Sequence, residues 1–339
     1  MANGSTPRIP EKLLAAKAEA KRQLFSAPPR RHVVAFAAAT RPEENVVGVG
    51  IGLKVTAGKA TATRCIRIYV ERKLAKEAIR ASDLLPAVIG GVKTDVVETG
   101  RLRILPARVS ITRTRLRPIQ PGSSVGFQFT GAMSQFVMAG TFGAVIQVGG
   151  ARHILSNNHV LAHENELPLG APIFQPGLLD GGNPATDRVA TLARFIPIQT
   201  GAGSANRVDA AIARILGEIA SNPTLLPKVG RLASPQPIAA RIGLKVEKVG
   251  RTTGYTIGEV NDISADVNVD YDAGNAVFLD QVLVRGERGS FSDSGDSGSL
   301  IVDRASKRAT ALLFAGSKTV TIGNPIDVVL QQLEASLVI

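Results

Sequence analysis

The chain has 339 residues, and its 40 Lys+Arg against 28 Asp+Glu give a net charge of +12. A hydrophobic fraction of 44% is ample for real cores, while 4% aromatics and no Trp mean that Val, Ile, Leu and Ala must build them. Cys65 is the single cysteine, so no internal disulfide can form and nothing requires an oxidising compartment.

The charge is uneven. Residues 1–119 hold 23 Lys+Arg and 9 Asp+Glu, a balance of +14; residues 120–339 hold 17 and 19, a balance of −2. Two units with different partners are therefore expected. The 34 Gly and 19 Pro favour many short strands joined by turns.

In chain order, "PEKLLAAKAEAKRQLF" (10–25) reads as a helix, with Leu13, Leu14, Ala18 and Leu24 near one face and Pro10 at its start. Residues 1–31 form this helix and a linker. "RRHVVAFAAAT" (30–40) imitates an export signal, but its apolar part is very short and begins far from Met1. No segment reaches the roughly 18–20 apolar residues of a membrane span, so a cytoplasmic protein is expected.

Residues 45–56 and 63–72 read as strands, 73–85 as a helix, and 90–100 as a turn and strand. These make a small basic α+β domain over 32–106. Residues 107–124 read as a linker carrying Arg108, Arg113, Arg115 and Arg117. It is either a solvated connector or a docking stripe for an acidic protein partner. It lacks the interleaved aromatics that single-stranded nucleic-acid binding favours.

From Val125 the pattern becomes short apolar runs between Gly, Asn, Asp and Pro. Residues 140–161 read as strand, Gly-Gly hairpin, strand and short helix. Further strands are expected at 188–196, 208–215, 245–250, 256–269, 277–284, 299–303 and 309–316, with an amphipathic helix at 327–337.

"FSDSGDSGS" (291–299) raises the question of a nucleophile. A serine needs a base, and the base needs an orienting group. Only His32, His153, His159 and His163 are available. His159 stands in "LSNNHVLA" at a strand-to-helix junction and is favoured. Asp209 in "NRVDAAIARI" is a lone acid in an apolar run, costly unless paired; Asp180 and Asp187 read as turn residues. Ser297 is better placed than Ser292, Ser294 or Ser299, because Gly295 and Gly298 permit a tight bend that can aim successive N–H groups at one point.

"LSNNHV", "VDAAIA" and "GDSGS", in the order His, Asp, Ser, resemble the chymotrypsin-like (trypsin-fold) serine proteases. "VGRTTGYTIGEV" (249–260) is similar to the opening of the second barrel in bacterial members. "RPIQPGSSVG", "ILSNNHVLA", "QPGLLDGG" and "NPIDVVL" look more specifically like bacterial trypsin-like proteins related to the plant narrow-leaf family, and the N-terminal strands resemble the domain that precedes the protease there.

The resemblance implies a mainly β chain: two antiparallel β-barrels over 125–339, the first at about 125–216 and the second at about 241–325, preceded by the small α+β domain. It implies a serine endopeptidase acting on protein or peptide substrates, with Ser297 as nucleophile, His159 as base and Asp209 as its orienter. The N–H groups of Gly295 and Ser297 would form the oxyanion hole, and the strand with Phe314, Ala315 and Gly316 would receive the substrate. Phe291, six before the nucleophile, would lie at the base of the primary pocket, with Asp293 at its rim. No cofactor or metal is implied, and oligomers are compatible with the sequence. Activation by a cleaved N-terminus inserted beside Asp296 is not expected. Two other readings remain: a protease-fold binding or scaffold protein with an unused or self-inhibited triad, and a partner-binding protein acting through its basic first third.

Overall fold

The computed structural model describes residues 9–25, 45–56, 58–74, 79, 81–100, 102, 111–129, 137–225 and 228–339. His32, Arg108 and the export-like stretch 30–40 lie outside the described residues. The architecture is mainly β, with two large sheets, as the sequence implies.

The first sheet contains β5 (Ser124–Phe127), β6 (Gly140–Thr141), β7 (Ala144–Val148), β8 (Ala151–Ser156), β9 (Pro172–Phe174), β10 (Arg188–Phe195) and β11 (Ala211–Ile215). A late strand, Ser336–Leu337, adds to its edge beside β7. The short helix α2 (Asn158–Leu161) follows β8 directly. Phe127, Phe142, Val145, Ile154, Leu161, Ile173 and Leu192 fill this sheet's core.

The second sheet contains β12 (Lys245–Gly250), β13 (Gly254–Tyr271), β14 (Gly274–Gly286), β15 (Leu300–Asp303), β16 (Ala309–Gly316) and β17 (Thr321–Pro325). Their order is β12-β15-β16-β17-β14-β13, and β12 also pairs with β13, which closes the six strands into a barrel. Helix α3 (Ile326–Gln332) packs its Ile326, Val329 and Leu330 into the cluster shared by both sheets.

The N-terminal strands do not stand apart. β1 (Val46–Thr56), β2 (Lys59–Val70), β3 (Val88–Ile89) and β4 (Val92–Glu98) continue the second sheet, because β1 pairs antiparallel with β13 from Gly48↔Val267 to Gly52↔Asp262. Helix α1 (Glu11–Phe25) covers them with Leu13, Ala16 and Ala20, while Leu14 is exposed. Its Lys17 is buried and paired with Asp266 at 2.9 Å and Asp280 at 2.8 Å, on β13 and β14. Among the described residues the helix expected over 73–85 is one 3-10 turn at Ala81–Asp83; Lys73 is instead tied to β4, its N–H donating to Glu98 at 2.8 Å.

The described linker arginines pair with acids of the same chain. Arg115 and Arg117 reach Asp187 at 2.6 and 3.3 Å, and Arg113 reaches Asp180 at 3.6 Å. Asp180 and Asp187 therefore anchor the linker to the first sheet rather than merely making turns.

Arg67 and Asp262 form a buried pair at 3.1 Å where β2 and β13 flank β1. Gly52 makes room for it: a Cβ there would sit 1.9 Å from Asp262 Oδ1. Burial pushes the Asp262 carboxyl up to about 6, against the pull of Arg67. The folded chain thus holds this proton to a higher pH than the unfolded chain does. The resulting stabilisation is full below about pH 4 and is lost as pH rises through about 6. Relative to Asp262→Asn, the wild type should lose up to about 3 kcal/mol of stability between pH 4 and 7, measured by urea unfolding. Parallel pH curves would contradict this assignment.

Candidate active site

The "SNN" before His159 has a local function. Asn157 Nδ2 donates to the Asp209 carbonyl at 2.8 Å, and Asn158 Nδ2 donates to Asn165 Oδ1 and the Ile196 carbonyl at 2.7 and 2.8 Å. These bonds fix the four-residue α2 against the loop before β11. Asp209 N–H in turn donates to Asn324 Oδ1 of β17 at 3.0 Å, joining the two sheets.

His159 and Asp209 meet directly. Nδ1 lies 2.5 Å from Asp209 Oδ2, and the ring is 2% exposed. Asp209 Oδ1 accepts the N–H groups of Asn158 at 2.6 Å and His159 at 3.3 Å. Tyr271 donates its hydroxyl to Oδ2 at 2.7 Å. The carboxylate is fully buried, yet all its bonding capacity on that side is met, as a buried charge requires. The Nδ1 contact fixes the tautomer that leaves Nε2 as acceptor, and Nε2 has no partner.

The other histidines are elsewhere. His153 Nδ1 bonds the Ala151 carbonyl at 3.0 Å on β8. His163 stands edge-on to Phe129 with centroids 4.5 Å apart and lies 3.1 Å from Glu166.

The Ser297 turn packs against the end of the first sheet that leads into α2. Thr141 N–H donates to the Ser297 carbonyl at 2.8 Å. A Cβ on Gly140 would sit 2.6 Å from Val160, next to His159, and 3.0 Å from the Ser297 carbonyl. Gly295 and Gly298 take φ values of +82 and +92, which glycine adopts without strain. Neither the Gly295 nor the Ser297 N–H donates to another group among the described residues. Ser297 Oγ donates to the Phe314 carbonyl at 3.3 Å. The competing serines are otherwise placed: Ser292 Oγ bonds Thr321 Oγ1 at 2.6 Å, Ser299 Oγ bonds the Asp296 carbonyl at 2.6 Å, and Ser294 Oγ is buried without a partner.

Asp296 holds this turn. Its carboxylate accepts the N–H groups of Asp293 at 3.0 Å, Thr252 at 2.8 Å and Thr253 at 3.1 Å. Lys248 of β12 pairs with it at 3.1 Å, and both side chains are fully buried. Burial pushes the Lys248 ammonium below the usual lysine value, while Asp296 opposes that shift. An internal amine thus occupies the place beside Asp296. Its signal in the sequence is a lysine inside a strand, "KVEKVG", whose residues 246–250 are all buried.

Phe291 differs from expectation. Its ring is 2% exposed and belongs to the second barrel's core with Leu244, Val246, Val260 and Val284, so it faces the barrel interior instead of forming a pocket floor. Its neighbour Ser292 points toward Gly316, where a Cβ would lie 3.5 Å from Ser292 Oγ. Phe314 and Ala315 are buried in one cluster with Val320, Tyr271, Phe278 and Leu102. Among the described residues no three His, Cys, Asp or Glu side chains converge as a metal site requires, and no helix is long and apolar enough to cross a membrane.

The fold is mainly β, a closed six-stranded barrel and a second sheet, and the His159–Asp209 pair and the Ser297 turn lie where the two meet. Residues 201–320 match the family model described as Nal1 C-terminal domain. The chain is 27% identical over 313 residues to Protein NARROW LEAF 1 of Oryza sativa subsp. japonica, covering 80% of this chain and 51% of that protein. The chain is similar to this narrow-leaf protein and spans about half of its length. Among solved structures, Thermobifida fusca Protease A is 17% identical with a TM-score of 0.46, covering 65% of this chain and 98% of that one. A glutamic acid specific serine protease with a histidine triad in substrate binding is 18% identical with a TM-score of 0.44, covering 65% and 100%.

Replacing Lys248 with Met strands a buried carboxylate at Asp296. The Lys248→Met variant should lose about 3–5 kcal/mol of stability in urea, and its amides from Asp293 to Ser297 should exchange faster with solvent. Wild-type stability and exchange would show that the pair does not hold the turn.

Proposed function

We propose that the chain is a serine endopeptidase. The observation that carries this reading is the buried His159–Asp209 pair, whose Nε2 has no partner among the described residues, together with the Ser297 carbonyl lying against Gly140 beside Val160, the neighbour of His159. Ser297 Oγ attacks the scissile carbonyl after rotating from the Phe314 carbonyl. His159 Nε2 takes its proton and returns it to the leaving amine, while Asp209 holds the tautomer and stabilises the imidazolium. The undonated N–H groups of Gly295 and Ser297 receive the oxyanion. The acyl-enzyme is then hydrolysed by water through the same base.

Ser297→Ala and His159→Ala should each abolish peptide hydrolysis, by about a millionfold in turnover, without unfolding the protein. Labelling of the wild type by a fluorophosphonate and a peptide-library digest check both activity and site. Substantial cleavage by Ser297→Ala would remove Ser297 from the mechanism.

The side chain that lies beside Gly316 is the hydroxyl of Ser292, bonded to Thr321 Oγ1 at 2.6 Å, and it carries no charge. Cleavage after an uncharged residue is expected. Ser292→Asp should move the preference toward Lys or Arg, read from the same digest; a wild type that already cuts after Arg would point to Asp293.

One observation favours a second reading, a protease-fold binding protein with a self-inhibited triad. Leu102 is buried in the same cluster as Phe314, Ala315 and Val320, and Thr319 Oγ1 donates to the Thr99 carbonyl at 3.3 Å, so the expected substrate strand is already covered. Failure of the fluorophosphonate to label the intact chain would support it.

A further inference from the structure

The hydroxyl of Tyr271 reaches the site from the opposite sheet. Tyr271 is the last residue of β13, directly before the two-residue turn Asp272–Ala273 that leads into β14. This hairpin tip crosses to the first sheet and is gripped there. Glu164 accepts the N–H groups of Asp272 at 3.2 Å and Ala273 at 2.9 Å. Gly201 N–H donates to the Asn275 carbonyl at 2.8 Å, and Asn206 N–H to the Val277 carbonyl at 2.9 Å. Glu164 follows His159 by five residues, so the same loop sets the histidine and the hairpin tip.

The side chain of Tyr271 meets both partners of the pair, Asp209 through its hydroxyl and His159 through its ring. It stands edge-on to His159 with centroids 6.1 Å apart, and it stacks on Phe278 at 5.8 Å. Phe278 in turn packs on Phe314 at 4.7 Å, whose carbonyl accepts the Ser297 hydroxyl. Packing alone would be served as well by phenylalanine. A buried hydroxyl is costly unless bonded, and this one's bond goes to Asp209 Oδ2, the oxygen that faces His159 Nδ1.

We propose that Tyr271 is a positioning residue for the Asp209–His159 pair, acting by fixing Asp209 Oδ2 in line with the histidine. The proposal rests on the reading of Ser297, His159 and Asp209 as a triad. Oδ1 is held by two backbone donors, so without Tyr271 only the histidine itself restrains Oδ2. The imidazolium formed during proton transfer would then meet a carboxylate free to tilt. Turnover should suffer, while substrate binding, which involves neither residue, should not.

The test is Tyr271→Phe in the full chain, which keeps the ring stack. With a peptide substrate, kcat should fall about 10- to 100-fold, the loss of one hydrogen bond to a charged group, and KM should not change. In a Ser297→Ala background, the low-field proton resonance of His159 Nδ1–H should move or broaden on adding Tyr271→Phe, with the urea midpoint little changed. Wild-type kcat together with an unmoved resonance would overturn the proposal. The resonance is read without turnover, so it decides the role of Tyr271 even if wild-type protein neither labels nor cleaves, an outcome that would defeat the protease reading alone. If Tyr271→Phe fails to fold, Glu164→Gln keeps the hydroxyl but loosens the grip on the turn. A shifted or broadened resonance is then expected, and an unmoved one overturns the proposal.

Discussion

The site depends on one buried carboxylate. Asp209 has no exposure, and an ionised group there is tolerable only if donors surround it. Those donors come from different parts of the chain: the backbone of α2, the ring of His159 and the tip of the β13–β14 hairpin. The Asp209 peptide adds bonds to Asn157 and to Asn324 of β17. Satisfying this charge therefore fixes how the two sheets sit against each other. The apolar cluster built from Leu155, Ile212, Leu312 and Ile326 joins the same two sheets.

The second barrel has an analogous centre in Lys248 and Asp296. Here a charge pair with no exposure organises a turn instead of an interface. Such a pair contributes little net stability compared with apolar residues of the same size, and its value lies in the geometry it imposes. Asp296 collects three backbone N–H groups from two segments, while the N–H groups of Gly295 and Ser297 donate to no group among the described residues.

Much of this was legible in the sequence, for physical reasons. Asp209 interrupts an apolar run, His159 stands at a strand-to-helix junction, and Ser297 sits between glycines that permit a tight bend. The strands of both sheets follow from alternating apolar runs punctuated by Gly and Pro. Tyr271 was not legible, because a tyrosine at the end of a strand is ordinary, and its bond to Asp209 spans 62 residues. Phe291 was misplaced because counting back from Ser297 fixes where a residue sits but not which way its side chain points; the core of the second barrel takes the ring. Continuity of β1 with β13 also escaped, since an edge-to-edge pairing leaves no mark on either strand's own pattern. The helix expected over 73–85 rested on composition, whereas Lys73 is held by Glu98 of β4.

The length of β13 links these features. Its first residues close the barrel against β12, its middle accepts β1, and its last residue touches the His159–Asp209 pair. One strand of 18 residues thus carries barrel closure, the N-terminal sheet and the hairpin tip. The excess positive charge of the first third is partly used along this same line, where Lys17 pairs with Asp266 and Asp280, and Arg67 with Asp262. A β-strand in a packed sheet does not stretch: shifting its register by one residue would turn every side chain to the other face. The N-terminal strands therefore bear on the site mechanically, by holding β13 in the register that brings Tyr271 to Asp209.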